Sequence, residues 1–211
     1  MLKNKKILIT CGPTWVPVDE MRVISNRSTG ELGHILTEYL EEKGAKITLL
    51  EGPVTHRAQC KSVRVMKFHF YDDFEKILKH ELKKPYDAII HSAAVSDYQL
   101  KKVYKEKLRS DLPQLILSLI PMKKLIHEIK KLNPKTFLVG FKLESNVGEK
   151  ELKEKTSELF QGARCDLVVA NCLQDKKYTG IILDRNEKIL ARGKAREEIA
   201  KNLTRILDER L

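Results

Sequence analysis

The fold can be inferred first from Lys6-Ile7-Leu8-Ile9-Thr10-Cys11-Gly12-Pro13-Thr14, a short apolar run that ends at a Gly-Pro pair. Runs of the same kind, each rich in β-branched residues, recur at residues 46–50, 63–68, 87–91, 115–119, 136–141 and 166–170. Their length and nearly continuous apolar character predict strands that are mostly buried on both faces, the first of them at residues 6–10.

The segments between many of these strands have helical spacing. Residues 72–82 place Phe74 and Leu78 on one face, and Asp72 with Glu75 has the spacing of a capping box. This alternation predicts an α/β fold, a doubly wound, mostly parallel Rossmann-like sheet with helices on both faces and ligands beyond the carboxyl ends of the strands. Residues 180–183 and 188–191 predict a C-terminal hairpin, which a last amphipathic helix follows. We expect a single domain over residues 1–211.

The chain carries an excess of positive charge. It has 211 residues, with 40 Lys and Arg against 29 Asp and Glu and a formal net charge of +11. Such a charge favours an anionic partner, whether nucleic acid, a membrane surface or small phosphates. The basic residues are spread along the whole chain and aromatic residues make up only 6% of it, which argues against a surface that stacks on bases. We interpret most of the charge as a solvated lysine-rich surface and expect no nucleic-acid partner.

The cysteines and the hydropathy pattern bear on the cellular compartment. Cys11, Cys60, Cys165 and Cys172 form no Cys-x-x-Cys pair, so we expect neither a zinc site nor a disulfide framework. No segment approaches the roughly 20 apolar residues of a membrane helix, so we expect no membrane partner. Both observations predict a cytoplasmic protein.

A long polar loop follows the first predicted strand. It carries Arg22 and Asn26 and ends in Ser28-Thr29-Gly30-Glu31-Leu32-Gly33. Hydroxyls, glycines and the free amides of a helix N-terminus can together bind phosphate. Ser28-x-Gly30-x-x-Gly33 is also a degenerate dinucleotide fingerprint, but it does not follow its strand directly as that fingerprint requires. The other interpretation is a glycine pair that only allows close helix packing.

A run of small residues, Ser92-Ala93-Ala94-Val95-Ser96, follows the fourth predicted strand and leads to Asp97. Small residues let a ligand lie against the backbone, and the Asp97 carboxylate suits a ribose hydroxyl or a cation. A carboxylate that caps a turn is the alternative. Lys107 lies ten residues further on in a lysine-rich stretch, which by spacing alone indicates an exposed charged loop.

Five blocks of residues, in this order, resemble the phosphopantothenoylcysteine synthetase family. They are Gly12-Pro13-Thr14, residues 22–30 with their Ser-Asn-Arg-Ser-Thr-Gly sequence, residues 93–98, Gly140-Phe141 with Glu144, and Val169-Ala170-Asn171. The resemblance covers about residues 7–171 and is most specific at residues 25–30. It implies a phosphopantothenate–cysteine ligase in its free-standing form, without the flavin-dependent decarboxylase domain to which this activity is often fused in bacteria.

The resemblance also implies a two-stage reaction and the residues that carry it. The carboxylate of 4′-phosphopantothenate attacks the α-phosphate of a nucleotide, and the amine of L-cysteine then displaces the nucleotide from the acyl group. Asn26 matches the asparagine that holds the acyl-nucleotide intermediate, Arg22 the arginine of the second stage, and Lys107 the loop lysine that neutralises phosphates during activation. Fixed donors of this kind suit a reaction that brings several anionic groups together.

The same resemblance implies the remaining binding residues and partners. The nucleotide and its phosphates would be bound by Gly12, Ser28, Gly30, His91, Ser92, Ala93, Asp97, Lys107, Pro121, Met122, Lys123, Lys124, Phe141 and Lys155. The nucleotide would be CTP, the bacterial norm, with ATP left open because Met122 and Lys123 depart from the family pattern. We expect Mg²⁺ on the phosphates, no metal bound by a dedicated cluster of side chains, no flavin, and a homodimer.

Two other functions fit parts of the sequence. Glu51 follows the second predicted strand where a ribose-binding acid would stand in an NAD(P)-dependent oxidoreductase. A non-catalytic nucleotide-binding or nucleic-acid-binding module would make use of the basic charge and would bind oligonucleotides in a salt-sensitive manner.

Overall fold

The computed structural model describes residues 1–55, 59–175 and 177–211. The strands are β1 Lys6–Cys11, β2 Trp15–Pro17, β3 Val23–Ser25, β4 Lys46–Glu51, β5 Arg64–Lys67, β6 Ala88–His91, β7 Tyr98–Leu100, β8 Leu119–Pro121, β9 Phe137–Ser145, β10 Leu167–Gln174, β11 Lys177–Asp184 and β12 Ile189–Gly193. The helices are α1 Glu31–Glu42, α2 Tyr71–Glu81, α3 Ile126–Leu132, α4 Glu149–Glu154, α5 Ser157–Gln161 and α6 Arg196–Arg210.

One sheet of eight strands organises the chain, in the order β12-β11-β10-β9-β6-β1-β4-β5. All strand pairs from β10 to β5 are parallel, whereas β11 and β12 are antiparallel. The predicted α/β fold and C-terminal hairpin are therefore confirmed, and the hairpin extends the main sheet at one edge. The strand order changes direction at β1 and β6, where doubly wound folds open a crevice for ligands.

Helices cover both faces of the sheet because its strands are apolar on both sides. Ile7 and Ile9 pack toward α1 and α6, while Leu8 between them packs toward α2 and α3. Phe74 of α2 and Leu36 of α1 are fully buried. The short helices α4 and α5 lie on the same side as α2.

Two local predictions are wrong. Residues 115–119 form no strand of the main sheet, and only Leu119 enters a strand, β8, which pairs with β7. Ile116 is 74% exposed and only Leu117 of this run packs on the small core that contains Val16 and Leu100, so its β propensity has little packing to act through. The capping box also fails: Phe70 is the N-cap of α2 and no side chain caps that end.

Two small ribbons project from the main sheet and together form what we call the arm. The first is the β2–β3 hairpin and the second runs from β7 to β8. They pack on each other through a small core that contains Val16, Val18 and Leu100. Several apolar side chains on the arm stay exposed, among them Met21, Val23, Ile24, Leu115, Ile116, Leu119 and Ile120.

In the described part of the chain, none of the helices has the length and apolar character of a membrane span. The four cysteines are free thiols, and all but Cys60 are buried.

Candidate functional site

An open cleft lies at the carboxyl ends of the central parallel strands. Its inner part is about 770 Å³ in volume. It is lined mainly by the end of the loop after β1 with the start of α1, by the loop after β6, and by the ends of β9 and β10, and Tyr178 and Arg196 complete the lining. We refer to residues 12–30 as the first loop and to residues 92–97 as the second loop. Each loop directly follows a central strand, so the sheet itself brings them together.

The first loop ends in a backbone conformation that requires glycine. Gly30 is the N-cap of α1 with φ of 75°, and the N–H of Glu31 donates a hydrogen bond to the Thr29 hydroxyl at 3.3 Å. A Cβ on Gly30 would lie 2.4 Å from Cγ1 of Val54, whereas a Cβ on Gly33 would lie 2.4 Å from Cβ of Cys11. Gly33 therefore serves close helix packing, and Gly30 leaves the amides that follow Glu31 in the first turn of α1 open to an anion.

Asn26 connects the two loops. Its side-chain amide donates hydrogen bonds to the backbone oxygens of Ala94 at 3.1 Å and Val95 at 3.3 Å. Ser28 lies two residues further on and lines the same cleft. The residue predicted to hold the intermediate thus lies where both loops meet.

Arg22 and Lys107 lie on the arm and are brought near each other by Asp19. The Asp19 carboxylate accepts hydrogen bonds from the backbone N–H groups of Arg22 at 2.8 Å and Leu108 at 3.0 Å. The Arg22 guanidinium lies 3.5 Å from Asp19 and donates to the backbone oxygen of Leu108 at 3.2 Å. The hydrogen bond from Leu108 lowers the pKa of Asp19, so the carboxylate stays ionised. Neither Arg22 nor Lys107 lines the cleft of this chain.

The second loop is held to β1 by Thr10. Its hydroxyl accepts a hydrogen bond from the backbone N–H of Ala93 at 3.2 Å and lies 3.1 Å from Nδ1 of His91. The Ser92 hydroxyl donates to the backbone oxygen of Thr10 at 2.7 Å. Burial lowers the pKa of His91 to about 4, so the ring is neutral at physiological pH.

A smaller cavity of about 160 Å³ opens beside the second loop, and it gathers most of the residues predicted to bind the nucleotide. Its lining includes His91, Ala93, Asp97, Met122, Lys123, Lys124, Phe141 and Lys155. Ser92 lines the inner cleft instead, and Gly12 and Pro121 are outside both linings. Segments from four separate parts of the chain meet in this cavity.

The position of Asp97 bears on the two interpretations of its carboxylate. Its side chain makes no hydrogen bond within the described residues, so it does not cap a turn there. Its backbone oxygen accepts a hydrogen bond from the N–H of Met122 at 2.8 Å, which fixes residues 122–124 beside the second loop. The free carboxylate lines both the inner cleft and the smaller cavity.

Lysines on the cavity rim are paired with glutamates. Nζ of Lys155 lies 2.9 Å from Glu144, and Nζ of Lys124 lies 2.7 Å from Glu158. The hydrogen bond to Glu144 raises the pKa of Lys155, and the same bond lowers the pKa of Glu144. Because these side chains are partly exposed, an incoming phosphate can replace a glutamate at little cost.

The oxidoreductase interpretation finds no support at Glu51. This carboxylate is buried and lies 3.2 Å from Nε2 of His34, which is buried as well. In the described part of the chain, no group of three or more His, Cys, Asp and Glu side chains is arranged to hold a metal ion.

Sequence reasoning missed three residues of this region. Asp19, which organises the arm, follows a strand too short to be recognised from its pattern. Tyr178 and Arg196 line the inner cleft but come from β11 and the first position of α6, beyond the last recognised motif. No local feature of the sequence marks these two residues, because only the sheet order brings them to the cleft.

The chain is similar to known proteins over nearly its whole length. The model of the DNA/pantothenate metabolism flavoprotein C-terminal domain family matches residues 2–207. The chain is 34% identical over 211 residues to the coenzyme A biosynthesis bifunctional protein CoaBC of Thermococcus kodakarensis. The alignment covers 100% of this chain and 50% of the relative. It is 30% identical over 215 residues to the protein of that name from Borreliella burgdorferi, in an alignment that covers 98% of this chain and 53% of the relative. The chain thus spans about half the length of these curated relatives.

Solved structures share the fold. The DNA/pantothenate metabolism flavoprotein from Streptococcus pneumoniae matches with a TM-score of 0.88 at 26% identity, over 98% of this chain and 100% of that chain. A Cab2 variant in complex with phosphopantothenate-cysteine matches with a TM-score of 0.78 at 19% identity, over 99% of this chain and 90% of that chain, and this likeness shows the fold alone.

Proposed function

The chain belongs to the DNA/pantothenate metabolism flavoprotein C-terminal domain family, and on that basis we propose that it joins 4′-phosphopantothenate to L-cysteine in coenzyme A biosynthesis. The names of its relatives support this proposal. The observation that carries it is the position of Asn26, whose amide bridges the first and second loops in the inner cleft, which also contains the start of α1. The proposal assigns residues 1–211 to one catalytic domain.

In the first stage, a carboxylate oxygen of 4′-phosphopantothenate attacks the α-phosphorus of the nucleotide. The bond from that phosphorus to the β-phosphate oxygen breaks, and pyrophosphate leaves. The amides that follow Glu31 in the first turn of α1 and the hydroxyl of Ser28 stabilise phosphate oxygens, while Lys107 neutralises charge that builds up on the leaving group. Asn26 holds the acyl-nucleotide formed in this stage.

In the second stage, the cysteine amine attacks the acyl carbon, the nucleoside monophosphate leaves, and the amine loses a proton. Arg22, fixed beside Leu108 by Asp19, stabilises the negative charge of this stage. No electrons are transferred, so the reaction uses no flavin.

The smaller cavity suits the nucleotide base and ribose. Phe141 supplies an aromatic ring for the base, and Asp97 supplies a carboxylate for the ribose or for Mg²⁺. Mg²⁺ is commonly held by one or two carboxylates together with substrate phosphates, which fits a single unpaired carboxylate here. When bound, Mg²⁺ withdraws negative charge from the phosphates. We favour CTP over ATP as the nucleotide.

The exposed apolar side chains of the arm support a homodimer. Met21, Ile116 and Leu119 are exposed on ribbons that also carry Arg22 and Lys107, neither of which lines the cleft of one chain. Exposed apolar patches of this kind mark interaction surfaces. In the proposed dimer, the partner chain covers the arm and completes the pantothenate side of the cleft.

The free thiols of the four cysteines support a cytoplasmic location, where thiols stay reduced.

Pyrophosphate release tests the proposal directly. The protein is mixed with 4′-phosphopantothenate, Mg²⁺ and either CTP or ATP, with and without cysteine. We expect release that depends on 4′-phosphopantothenate and that is faster with CTP. Asn26→Ala should lose at least roughly 100-fold in rate, the size of a lost transition-state donor. Asn202→Ala is the matched control, because the Asn202 amide on α6 donates a similar hydrogen bond, 3.1 Å long, to the backbone oxygen of Arg192 on β12.

The absence of release with either nucleotide would refute the ligase. Salt-sensitive binding of oligonucleotides without release would then favour the non-catalytic module.

A further inference from the structure

Arg196 is held in the cleft by a chain of contacts, and the two reaction stages described above assign it no role. Its guanidinium carbon lies 4.9 Å from the centre of the Tyr178 ring, within the range of a cation–π interaction. The Tyr178 hydroxyl in turn donates a hydrogen bond to Oδ1 of Asn171 at 2.6 Å. Tyr178 and Asn171 are 9% and 5% exposed, so Arg196 rests on a buried, rigid support from two neighbouring strands.

The guanidinium lies close to the start of α1. Nε of Arg196 is 3.4 Å from Oε2 of Glu31, the first residue of that helix. Both side chains are more than one-third exposed, and a single ion pair of this kind contributes little to stability. Glu31 therefore holds the guanidinium only weakly, beside the first turn of α1.

Arg196 also lines both parts of the cleft, the inner part and the wider outer part that contains Trp15 and Lys67. It shares both linings with Asn26 and Ser28. A planar guanidinium offers paired N–H donors that match two phosphate oxygens at once.

We propose that Arg196 binds a phosphate group in this cleft, exchanging Glu31 for phosphate oxygens, with Tyr178 and Asn171 as its positioning residues. The phosphate belongs to one of the two phosphorylated substrates, so the inference rests on the proposed function. A phosphate carries more negative charge than the Glu31 carboxylate and also contacts the amides of α1, so it displaces the carboxylate.

A purely structural role of Arg196 predicts different effects of substitution at Arg196 and Glu31. If Arg196 only tied α6 to α1 through Glu31, removal of either partner would have the same effect. A phosphate ligand predicts opposite effects, because loss of Glu31 leaves Arg196 free for phosphate whereas loss of Arg196 removes the ligand itself.

The test is titration calorimetry of the purified protein with pyrophosphate and, separately, with 4′-phosphopantothenate, neither of which reacts alone. Arg196→Ala should weaken the binding of one of them at least roughly tenfold, the size of a lost charge-assisted hydrogen bond. The ligand affected identifies which phosphate Arg196 holds. Glu31→Gln should bind that ligand as tightly as the unchanged protein or more tightly.

Arg205→Ala is the matched control, because Arg205 lies on the same helix and pairs with Glu209 at 2.9 Å, away from the cleft. It should bind both ligands like the unchanged protein. Arg196→Lys keeps the charge without the planar fork and should give an intermediate loss. It also serves in place of Arg196→Ala if that variant does not fold.

The inference is overturned if Arg196→Ala and Arg196→Lys bind both ligands within twofold of the unchanged protein, or if Glu31→Gln weakens binding as much as Arg196→Ala. Turnover is measured separately. A protein that releases no pyrophosphate in the activity assay refutes the ligase, whereas the two titrations decide the role of Arg196 on their own.

Discussion

Substitution of Gly30 by alanine tests how the end of α1 that we propose to bind phosphate is built. Gly30 has φ of 75°, and a Cβ there would lie 2.4 Å from Cγ1 of Val54 and 3.1 Å from its Cβ. Gly44, just beyond the other end of α1, has φ of 81°, but its Cβ would meet nothing closer than 3.5 Å. Gly44→Ala is therefore a control that shares the backbone strain of Gly30→Ala without its steric overlap.

The expected magnitudes follow from these distances. An alanine in the left-handed region costs about 1–2 kcal/mol, which is the whole cost expected for Gly44→Ala. Overpacking against Val54 adds about 1–3 kcal/mol, so Gly30→Ala should lower the free energy of unfolding by about 2–5 kcal/mol. Val54→Ala removes Cγ1, so the pair of substitutions should show a favourable coupling of about 1–3 kcal/mol.

Urea unfolding followed by far-UV circular dichroism measures all four variants, and calorimetry with the nucleotide measures the function of the helix end. Gly30→Ala should also weaken nucleotide binding, because relief of the overlap moves the start of α1. Gly44→Ala should bind nucleotide normally. The reasoning fails if Gly30→Ala is no less stable than Gly44→Ala, or if Val54→Ala recovers none of the loss.

Three further predictions concern a buried histidine, the arm carboxylate and the arm surface. Because burial lowers the pKa of His91 from 6.5 to about 4, its contribution to stability is complete above pH 6.5 and is lost as the pH falls toward 4. When the pH falls from 7.5 to 4, the free energy of unfolding measured by urea titration should decrease by roughly 3 kcal/mol more for the unchanged protein than for His91→Gln. Equal decreases would contradict this. Asp19→Asn cannot accept all the hydrogen bonds of the carboxylate, so trypsin should cut after Lys107 roughly tenfold faster, as judged by mass spectrometry; an unchanged rate would show that Asp19 does not hold the loop. Ile116→Glu should convert the proposed dimer to a monomer in analytical ultracentrifugation, and a dimer that survives it would exclude this face of the arm.

Most of the sheet could be predicted from local sequence. The run at residues 6–10 appears as β1, and the runs at 46–50, 63–68, 87–91, 136–141 and 166–170 fall on β4, β5, β6, β9 and β10. A strand buried on both faces must be apolar at nearly every position, so such runs are recognisable without tertiary information. The run at residues 115–119 is also apolar but lies on the arm, where none of the described helices covers it.

The candidate site was predictable only in part. Asn26, Ser28 and Asp97 lie in strand-end loops, the usual place for ligand-binding residues in an α/β fold, and the structure places all three on the cleft. Arg22 and Lys107 are joined through Asp19, and this contact spans 89 residues between Asp19 and Leu108. Sequence spacing cannot report a hydrogen bond between segments so far apart.

The amino-acid sequence by itself determined the α/β class, the parallel core, the terminal hairpin and the position of the main loops, because these depend on local apolar periodicity and turn chemistry. Only the tertiary structure decided that Arg196, Tyr178 and Asn171 stand beside the start of α1, and that His34 rather than a ligand faces Glu51. These contacts depend on the order of strands in the sheet, which pairs segments that are distant in the chain and leaves no local pattern in either of them.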